Sequence, residues 1–533
     1  MSEKFDEGKS TELDSPAKEN TSGGERSLPI GGGDTITGSI GSNARGAAIG
    51  KNIFQNIIVV GTVKIPVLPV LVLIGIVVAA LAFFGFRSLG PDKMSGSFNL
   101  AVAEFGQEQA DGKVVSTSSG QLISRRLFEG LQSAFVDLPS ADQANFHPQF
   151  WQDSLDITQK RIKIGIIPGD TPQARWTSAC ALAEKINASV VIYGNLPVEG
   201  SGKEFYPEYA ICDNPGLRMD ADEITGVHQV VEGLPAQLVS QFGKTGIDIA
   251  ANMVINRWSS MLTTFSVGIM YDLQGRADLA LPTFKKAKEP LDGEKSKVKD
   301  VLSFFIGREE LILAAKSSSD SADSSEHEVH LANAQTAFEE ALGHSPEYAR
   351  ARIGLAGVFF DRAQNIPPAQ RLETPDLKSA IQEYQQAITD APAFPGVFID
   401  TKARLGLAAA LILQGETDRD LGKFQEAGDA FTQAIQAAEA ALAPLTQAGQ
   451  IRVLAQAYLT LGEANHEQGH LKLVQGDLAS SRSFFQAASN NYGLCIQQKE
   501  ADITDQVLAD QIVAGLCQPY KEAVDASLSE LGE

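Results

Sequence analysis

Five times in the C-terminal half of the chain, a small residue, an aromatic and a second small residue recur at one spacing, small-x3-aromatic-x2-small. The copies are Ala280, Phe284, Ala287; Ala334, Phe338, Ala341; Ala380, Tyr384, Ala387; Ala427, Phe431, Ala434; and Ser480, Phe484, Ala487. Offsets of three and four put each trio on one face of a helix. One trio alone would mean nothing, since any amphipathic helix can carry it. Five with one spacing specify a repeat. Upstream of the copies stand Gly268 and Tyr271, then Leu355, Ala356 and Phe359, then Leu405, Gly406 and Ala409, then Leu461 and Gly462. These mark a first helix (helix A) against which the trio-bearing helix (helix B) folds. Alanine and glycine let the two helices approach, the aromatic fills the space they leave, and the hairpin still has an apolar side to bury. Hairpins of this kind must stack.

The spacings resemble those of the tetratricopeptide repeat (TPR), although the intervals depart from its period of about 34 residues. The resemblance implies an all-α, TPR-like solenoid over residues 246–533, with the last helix, "TDQVLADQIVAGLCQPYKEAVDASL", as a capping element. It also implies a concave surface, lined by the A helices, that accepts a peptide or helix from a protein partner. In this register the groove-facing residues are Leu262, Phe265, Arg350, Ile353, Gln456, Leu459, Glu463 and His466. They do not reproduce the Lys/Asn clamp with which some members of the family hold a C-terminal carboxylate.

Far upstream, "KIPVLPVLVLIGIVVAALAFFGFR" holds an uncharged run from Ile65 to Phe86. A helix of that length crosses a hydrocarbon core of about 30 Å. "ALA" at Ala80 to Ala82 has the look of a processing site, but the polar leader of residues 1–64 is far too long for a signal peptide. The run therefore reads as an uncleaved signal-anchor, a single transmembrane helix. Arg45, Lys51 and Lys64 flank it on one side without an acid. Arg87 and Lys93 flank it on the other, with Asp92 and Glu104. That bias puts the N-terminus in the cytoplasm and the bulk of the chain outside it, in the cell envelope. The leader, poor in aromatics, reads as a disordered tail ending in a Gly/Ile-rich segment from Gly33. Gly75 and Ala79 form a small-xxx-small pair that would bring two anchors together as a homodimer.

Between anchor and repeats, residues 96–245 alternate strand and helix patterns and predict a small α/β (α+β) sheet domain. "FNLAVAEF" (Phe98 to Phe105), "RIKIGII" (Arg161 to Ile167), "ASVVIYGNL" and "EFYPEYAI" read as strands. Leu122, Leu127, Leu131 and Phe135 fall at helical spacing. Asp170 or Thr171 caps a second helix that opens on Pro172. "FNLAVAEF" together with "ASVVIYGNL" resembles the N-terminal domain of TolB-type periplasmic proteins, which implies an extracytoplasmic setting. Cys180 and Cys212 share this region, and Cys495 and Cys517 share another. Two disulfides or four buried thiols both fit the sequence.

The net charge is −22, and no basic stripe suited to a duplex is present, which excludes nucleic-acid binding. "IIPGDTP" lacks the second glycine and the Lys–Ser/Thr pair of a phosphate loop. "HEQGH", His466 to His470, has the order in which two histidines hold zinc and the glutamate acts as base. The repeat register, however, puts Gly469 in the A–B turn and His470 beyond the helix, Lys472 stands where an apolar residue is usual, and no third ligand follows. His327 and His330 read as solvated, as do Glu309 and Glu310 on a helix face. No metal, cofactor or catalytic residue is assigned. The leading expectation is a non-enzymatic, membrane-anchored TPR scaffold. A sensor whose sheet domain binds a ligand is the alternative, and a zinc hydrolase using His466, Glu467 and His470 is the lesser one.

Overall fold

The computed structural model describes residues 93–136, 147–153, 163–198, 200–212, 223–235, 249–291, 297–320, 324–391, 398–448, 451–501 and 508–532. The chain divides into Met1–Ser88 and Leu89–Glu533, and all described residues belong to the second unit. The tail 1–64, the apolar run Ile65–Phe86 and the expected boundary at 245/246 lie outside the described residues. Among the described residues no helix is long and apolar enough to cross a membrane.

The sheet region runs β1 (Phe98–Val102), β2 (Gly106–Glu108), β3 (Val114–Val115), α1 (Ser118–Val136), β4 (Pro148–Trp151), α2 (Pro172–Ile186), β5 (Val190–Tyr193), β6 (Asn195–Leu196), β7 (Glu204–Phe205), β8 (Glu208–Ile211), β9 (Gly226–His228) and β10 (Leu234–Pro235). Its main sheet has the order β4-β1-β5-β8-β9. β1 lies parallel to β4 and β5, with Leu100 opposite Val190, whereas β8 is antiparallel to β5 and β9. The two stretches that carry the TolB-type resemblance are thus direct neighbours. Side chains alternate across the sheet as the pleat requires. Leu100, Val102, Ile192, Tyr209 and Ile211 share one core with α1. Ala101, Val191, Tyr193 and Ala210 face the other way, onto Ala179, Ala183 and Ile186 of α2. Thr171 caps α2 by accepting the Ala174 N–H, and Pro172 opens it, as expected.

One expected strand is absent among the described residues. Residues 163–167 make only an isolated bridge, Ile166 to Glu104. The Asp153 carboxylate takes the N–H groups of Ile164 and Gly165 at 2.7 and 2.6 Å, and Gly165 has φ +68°, so the backbone turns there instead of extending. The strand beside β1 is β4, "PQFW", which its sequence pattern did not announce.

From residue 249 the chain is helical, in hairpins: α3 (Ile249–Leu273) with α4 (Ala277–Lys288), α5 (Lys297–Asp320) with α6 (Ser324–His344), α7 (Ala349–Gln364) with α8 (Asp376–Asp390), α9 (Ile399–Asp420) with α10 (Phe424–Ala448), and α11 (Ile451–Val474) with α12 (Leu478–Ala501). A π-helical segment, Leu508–Cys517, and α13 (Gln518–Glu530) close the array. Four of the five predicted trios are buried as read. The fifth is shifted by one residue: Ser481, Phe485 and Ala488 are the buried set. Phe485 lies over Gly469, and the Ser481 hydroxyl donates to the Gly469 carbonyl at 2.9 Å.

Each aromatic presses on a glycine. A Cβ placed on Gly268, Gly307, Gly415 or Gly469 would stand 2.4 to 2.8 Å from the ring of Phe284, Phe338, Phe431 or Phe485 in the same hairpin. Gly354 and Gly406 do the same for Phe338 and Tyr384 of the preceding hairpin. Phe338 is thereby clasped by two successive hairpins. The turns of α3/α4, α9/α10 and α11/α12 close on Gly275, Gly422 and Gly476, with φ of 74°, 75° and 79°, the left-handed position that ends helices.

Sheet and repeats share one core. Trp258, Leu262 and Phe265 of α3 lie in the same buried cluster as β1, β5 and α1, and α1 approaches α3 closely where Gly130 faces Ser259. Disulfides join Cys180 of α2 to Cys212 after β8, and Cys495 of α12 to Cys517 of the π-helical segment.

Gly415→Ala should lower stability by about 1–3 kcal/mol, because its new Cβ would overpack the Phe431 ring. Gly428→Ala, whose Cβ would meet Leu471 at an ordinary 3.5 Å, should raise stability by up to about 1 kcal/mol through helix propensity. Chemical denaturation of the two variants measures the contrast.

Candidate functional site

The expected groove divides into two halves with different fates. In its N-terminal half the chain's own sheet occupies the face. Leu262 and Phe265 are completely buried. The Phe265 ring meets Tyr209 of β8 edge-on at 5.1 Å and Phe305 of α5 at 5.0 Å. Arg350 donates to the backbone carbonyls of Glu223 and Thr225, the latter at 2.6 Å, and so fastens the approach to β9 onto α7. Ile353 is half-buried against the core of the next hairpins. These positions were expected to face a partner; the sheet covers the first three.

Two further expectations fail within the repeats themselves. Glu309 and Glu310 are buried, not solvated. Glu310 holds Lys285 at 2.9 Å and His330 at 2.7 Å. Beside Glu309, Arg308 bonds Asp272 at 2.9 Å and reaches Glu223 at 3.4 Å. His327 is equally engaged, with Asp361 and the Ala314 carbonyl, both at 2.9 Å. His228 of β9 is buried against Phe305. Burial, with Arg350 next in effect, pushes its pKa down to about 3, so it is neutral in the fold.

Between α2, the strand ends and α7 lies a cavity of about 510 Å³, lined among others by Arg175, Trp176, Tyr206, Glu208, Tyr348 and Arg350. Arg175 is paired with Glu208 across it.

The C-terminal half is built differently. Gln456, Glu463 and His466 are half-buried on one face of α11, and Leu459 on that face is buried in one core cluster with Ile512 and Val513 of the π-helical segment. α11 continues through Gly469 to Val474 and turns at Gly476, so His470 belongs to the same helix as His466, contrary to the expected register. Their Nε2 atoms stand 3.0 Å apart. Glu467, the residue a zinc hydrolase would use as base, is paired with Arg419 of α9. Among the described residues no three His, Cys, Asp or Glu side chains are placed to hold a metal ion.

Around Glu463 the charge is mostly negative. Burial first, then Glu416 of α9 and Glu467, push its pKa up to about 7. The Glu416 carboxyl is raised by burial and by Glu467, and His466 is lowered by burial and His470. Tyr492 of α12 is fully buried over Gly462, its hydroxyl without a hydrogen-bond partner among the described residues. Tyr520 of α13 stacks on it at 5.8 Å and is 39% exposed. The sequence reading named Glu463 and His466 but missed Glu416 and Tyr520. The available signal was Glu416 itself, an acid inside the otherwise apolar "LAAALILQGE" of an A helix.

No protein-family model matches the chain, and no curated protein matches it. Solved structures resemble it, two among them being these. One is TTC0263, a thermophilic TPR protein of Thermus thermophilus, 14% identical over 48% of this chain and 97% of that one, with a TM-score of 0.27. The other is PilW, a widely conserved type IV pilus biogenesis factor, 15% identical over 50% and 98%, with a TM-score of 0.23. At such scores the likeness carries no argument of its own. The TPR-like helical repeat rests on the glycine–aromatic geometry described above.

Two titrations of opposite sign should be measurable. His228 cannot take the proton that the unfolded chain takes below pH 6.5, so it removes about 1.4 kcal/mol of stability per pH unit between 6.5 and about 3. His228→Gln should flatten that acid limb. Glu463 behaves inversely: its raised pKa makes the fold favourable at low pH and costs stability as pH rises through 7. Glu463→Gln should therefore stabilise at pH 8 by about 1–3 kcal/mol and have little effect at pH 5. Denaturant titrations across pH read both.

Proposed function

We propose that this protein is a single-pass, membrane-tethered docking scaffold whose working surface is the concave face of its C-terminal hairpins. The carrying observation is the asymmetry of the groove. Its N-terminal half is filled by the chain's own sheet, whereas α9, α11 and α13 keep Glu416, Glu463, His466 and Tyr520 at least partly accessible. A repeat array with its first half braced and its last half open is suited to holding a protein partner.

The tether is the apolar run Ile65–Phe86, with the tail on the cytoplasmic side and the sheet and repeats outside. Both cysteine pairs are bonded, and disulfides persist in oxidising compartments, which supports that orientation. The TolB-type resemblance of the sheet region points the same way. Gly75 and Ala79 remain the basis for pairing of two anchors.

The cavity beside Trp176 and Tyr348 favours a second reading, a sensor whose sheet region takes up a small ligand where it meets α7. Its size suits such a ligand. Ligand-dependent protection of the strands from hydrogen exchange would select that reading.

A photo-crosslinking residue at Gln456 should capture a protein partner in intact cells, and one at Gln486, on the exposed side of α12, should not. Equal capture at both positions, or none at either, rejects the docking surface. A protease-sensitive tag after Glu533 should be cut in intact cells once any outer barrier is permeabilised; protection until the inner membrane is opened reverses the orientation.

A further inference from the structure

The cluster around Glu463 has the composition of a receptor for an organic cation. Three helices and the cap contribute to it: Glu416 from α9, Glu463 and Glu467 from α11, Tyr492 from α12 and Tyr520 from α13. Glu467 is ion-paired with Arg419, whose charge, with that of Arg371, also acts on Glu416 from beyond ion-pair distance. Arg371, the other cation nearby, is committed to the carbonyls of Ala363 and Gln364 and to the Thr417 hydroxyl. Glu416 and Glu463 make no hydrogen bond or ion pair among the described residues, although both are half-buried. Unpaired carboxylates in that setting are costly to keep.

An independent observation points to a missing occupant. Tyr492 is fully buried and its hydroxyl has no partner among the described residues, yet Glu463 is the strongest charge acting on it. Tyr520 feels the same two carboxylates, Glu463 and Glu416, and lies stacked on Tyr492 with part of its surface open. Carboxylates beside an exposed aromatic ring attract an ammonium or guanidinium through charge and through the ring quadrupole together. A bare metal ion is the poorer match, because no three donors converge on one point among the described residues.

We propose that Glu416, Glu463 and Tyr520 form a recognition site for a lysine or arginine side chain presented by a partner protein. The inference rests on the docking reading above and supplies the chemistry of the partner: a basic segment laid along α11, with one cationic head set between α9 and α13. A chain of net charge −22 would also draw such a segment in from a distance.

The test uses the full-length protein in neutral detergent and a fluorescent eight-residue peptide of alternating lysine and glycine, followed by anisotropy. The double variant Glu416→Gln/Glu463→Gln should weaken binding at least tenfold. Tyr520→Ala should weaken it severalfold and Tyr520→Phe should restore it. The same peptide with acetylated lysines should not bind. Glu426→Gln/Asp429→Asn, which removes two exposed acids on α10, should leave affinity within twofold. Equal losses from both double variants mean bulk charge only and overturn the site. So does indifference to Tyr520, or spermidine binding as tightly as the peptide, which would make the ligand a free polyamine. A denaturation curve for each variant at the assay pH separates loss of binding from loss of folding. Crosslinking at Gln456 separates the two claims. Capture that survives Glu416→Gln/Glu463→Gln leaves docking intact and removes the cation site; absence of capture in the unaltered protein removes docking itself.

Discussion

The close approach of an aromatic ring to a glycine on the facing helix is the contact from which the rest of the helical array follows. Where Gly415 meets Phe431 or Gly406 meets Tyr384, the distance leaves no room for a methyl group. The ring then spans the helix crossing and fills the volume between backbones. Because Phe338 is gripped by Gly307 of its own hairpin and Gly354 of the next, one device both closes a hairpin and sets its neighbour. The array needs no long polar network along its length, and its inward faces are left free for other uses.

The sheet uses the first of those faces. Burying Phe265 and Leu262 against β8 and α1 brings charged groups into the interface, and each is answered locally. Arg350 finds two backbone carbonyls, Arg308 finds Asp272, and His228 stays uncharged and donates its Nε2–H to the Ile224 carbonyl at 2.6 Å. A junction of this kind has specific geometry, since losing one partner strands the other in a low-dielectric setting. Sheet and first hairpins therefore behave as one body.

How much of this was written locally can be seen residue by residue. The trios were legible because ring-on-glycine packing is set by spacing within two helices. The alternation of β1 and β5 and the Thr171–Pro172 helix start were legible for the same reason. The fifth trio slipped by one because Phe484 and Phe485 are adjacent, and only the position of Gly469 across the hairpin decides between them. β4 is a strand because β1 lies beside it, not because of "PQFW". Glu309 and Glu310 have the look of solvated acids, and only partners on neighbouring hairpin helices, Lys285 and His330 for Glu310, show that they are interior. The site divides in the same way. Glu463 and His466 could be read from one helix face, but Glu416 and Tyr520 join them from helices more than forty residues away in sequence, through stacking that no local spacing records.

With its first hairpins closed by the sheet, the inner face keeps partly exposed positions on α9, α11 and α13 among the described residues. Neighbouring helix axes lie about 8–10 Å apart, so an extended strand crossing three of them is read over roughly six residues. A footprint that short cannot grip by area. For the docking proposed above, it would favour fast exchange among partners sharing a brief sequence signature, and lasting attachment would need several copies engaging at once on the same surface.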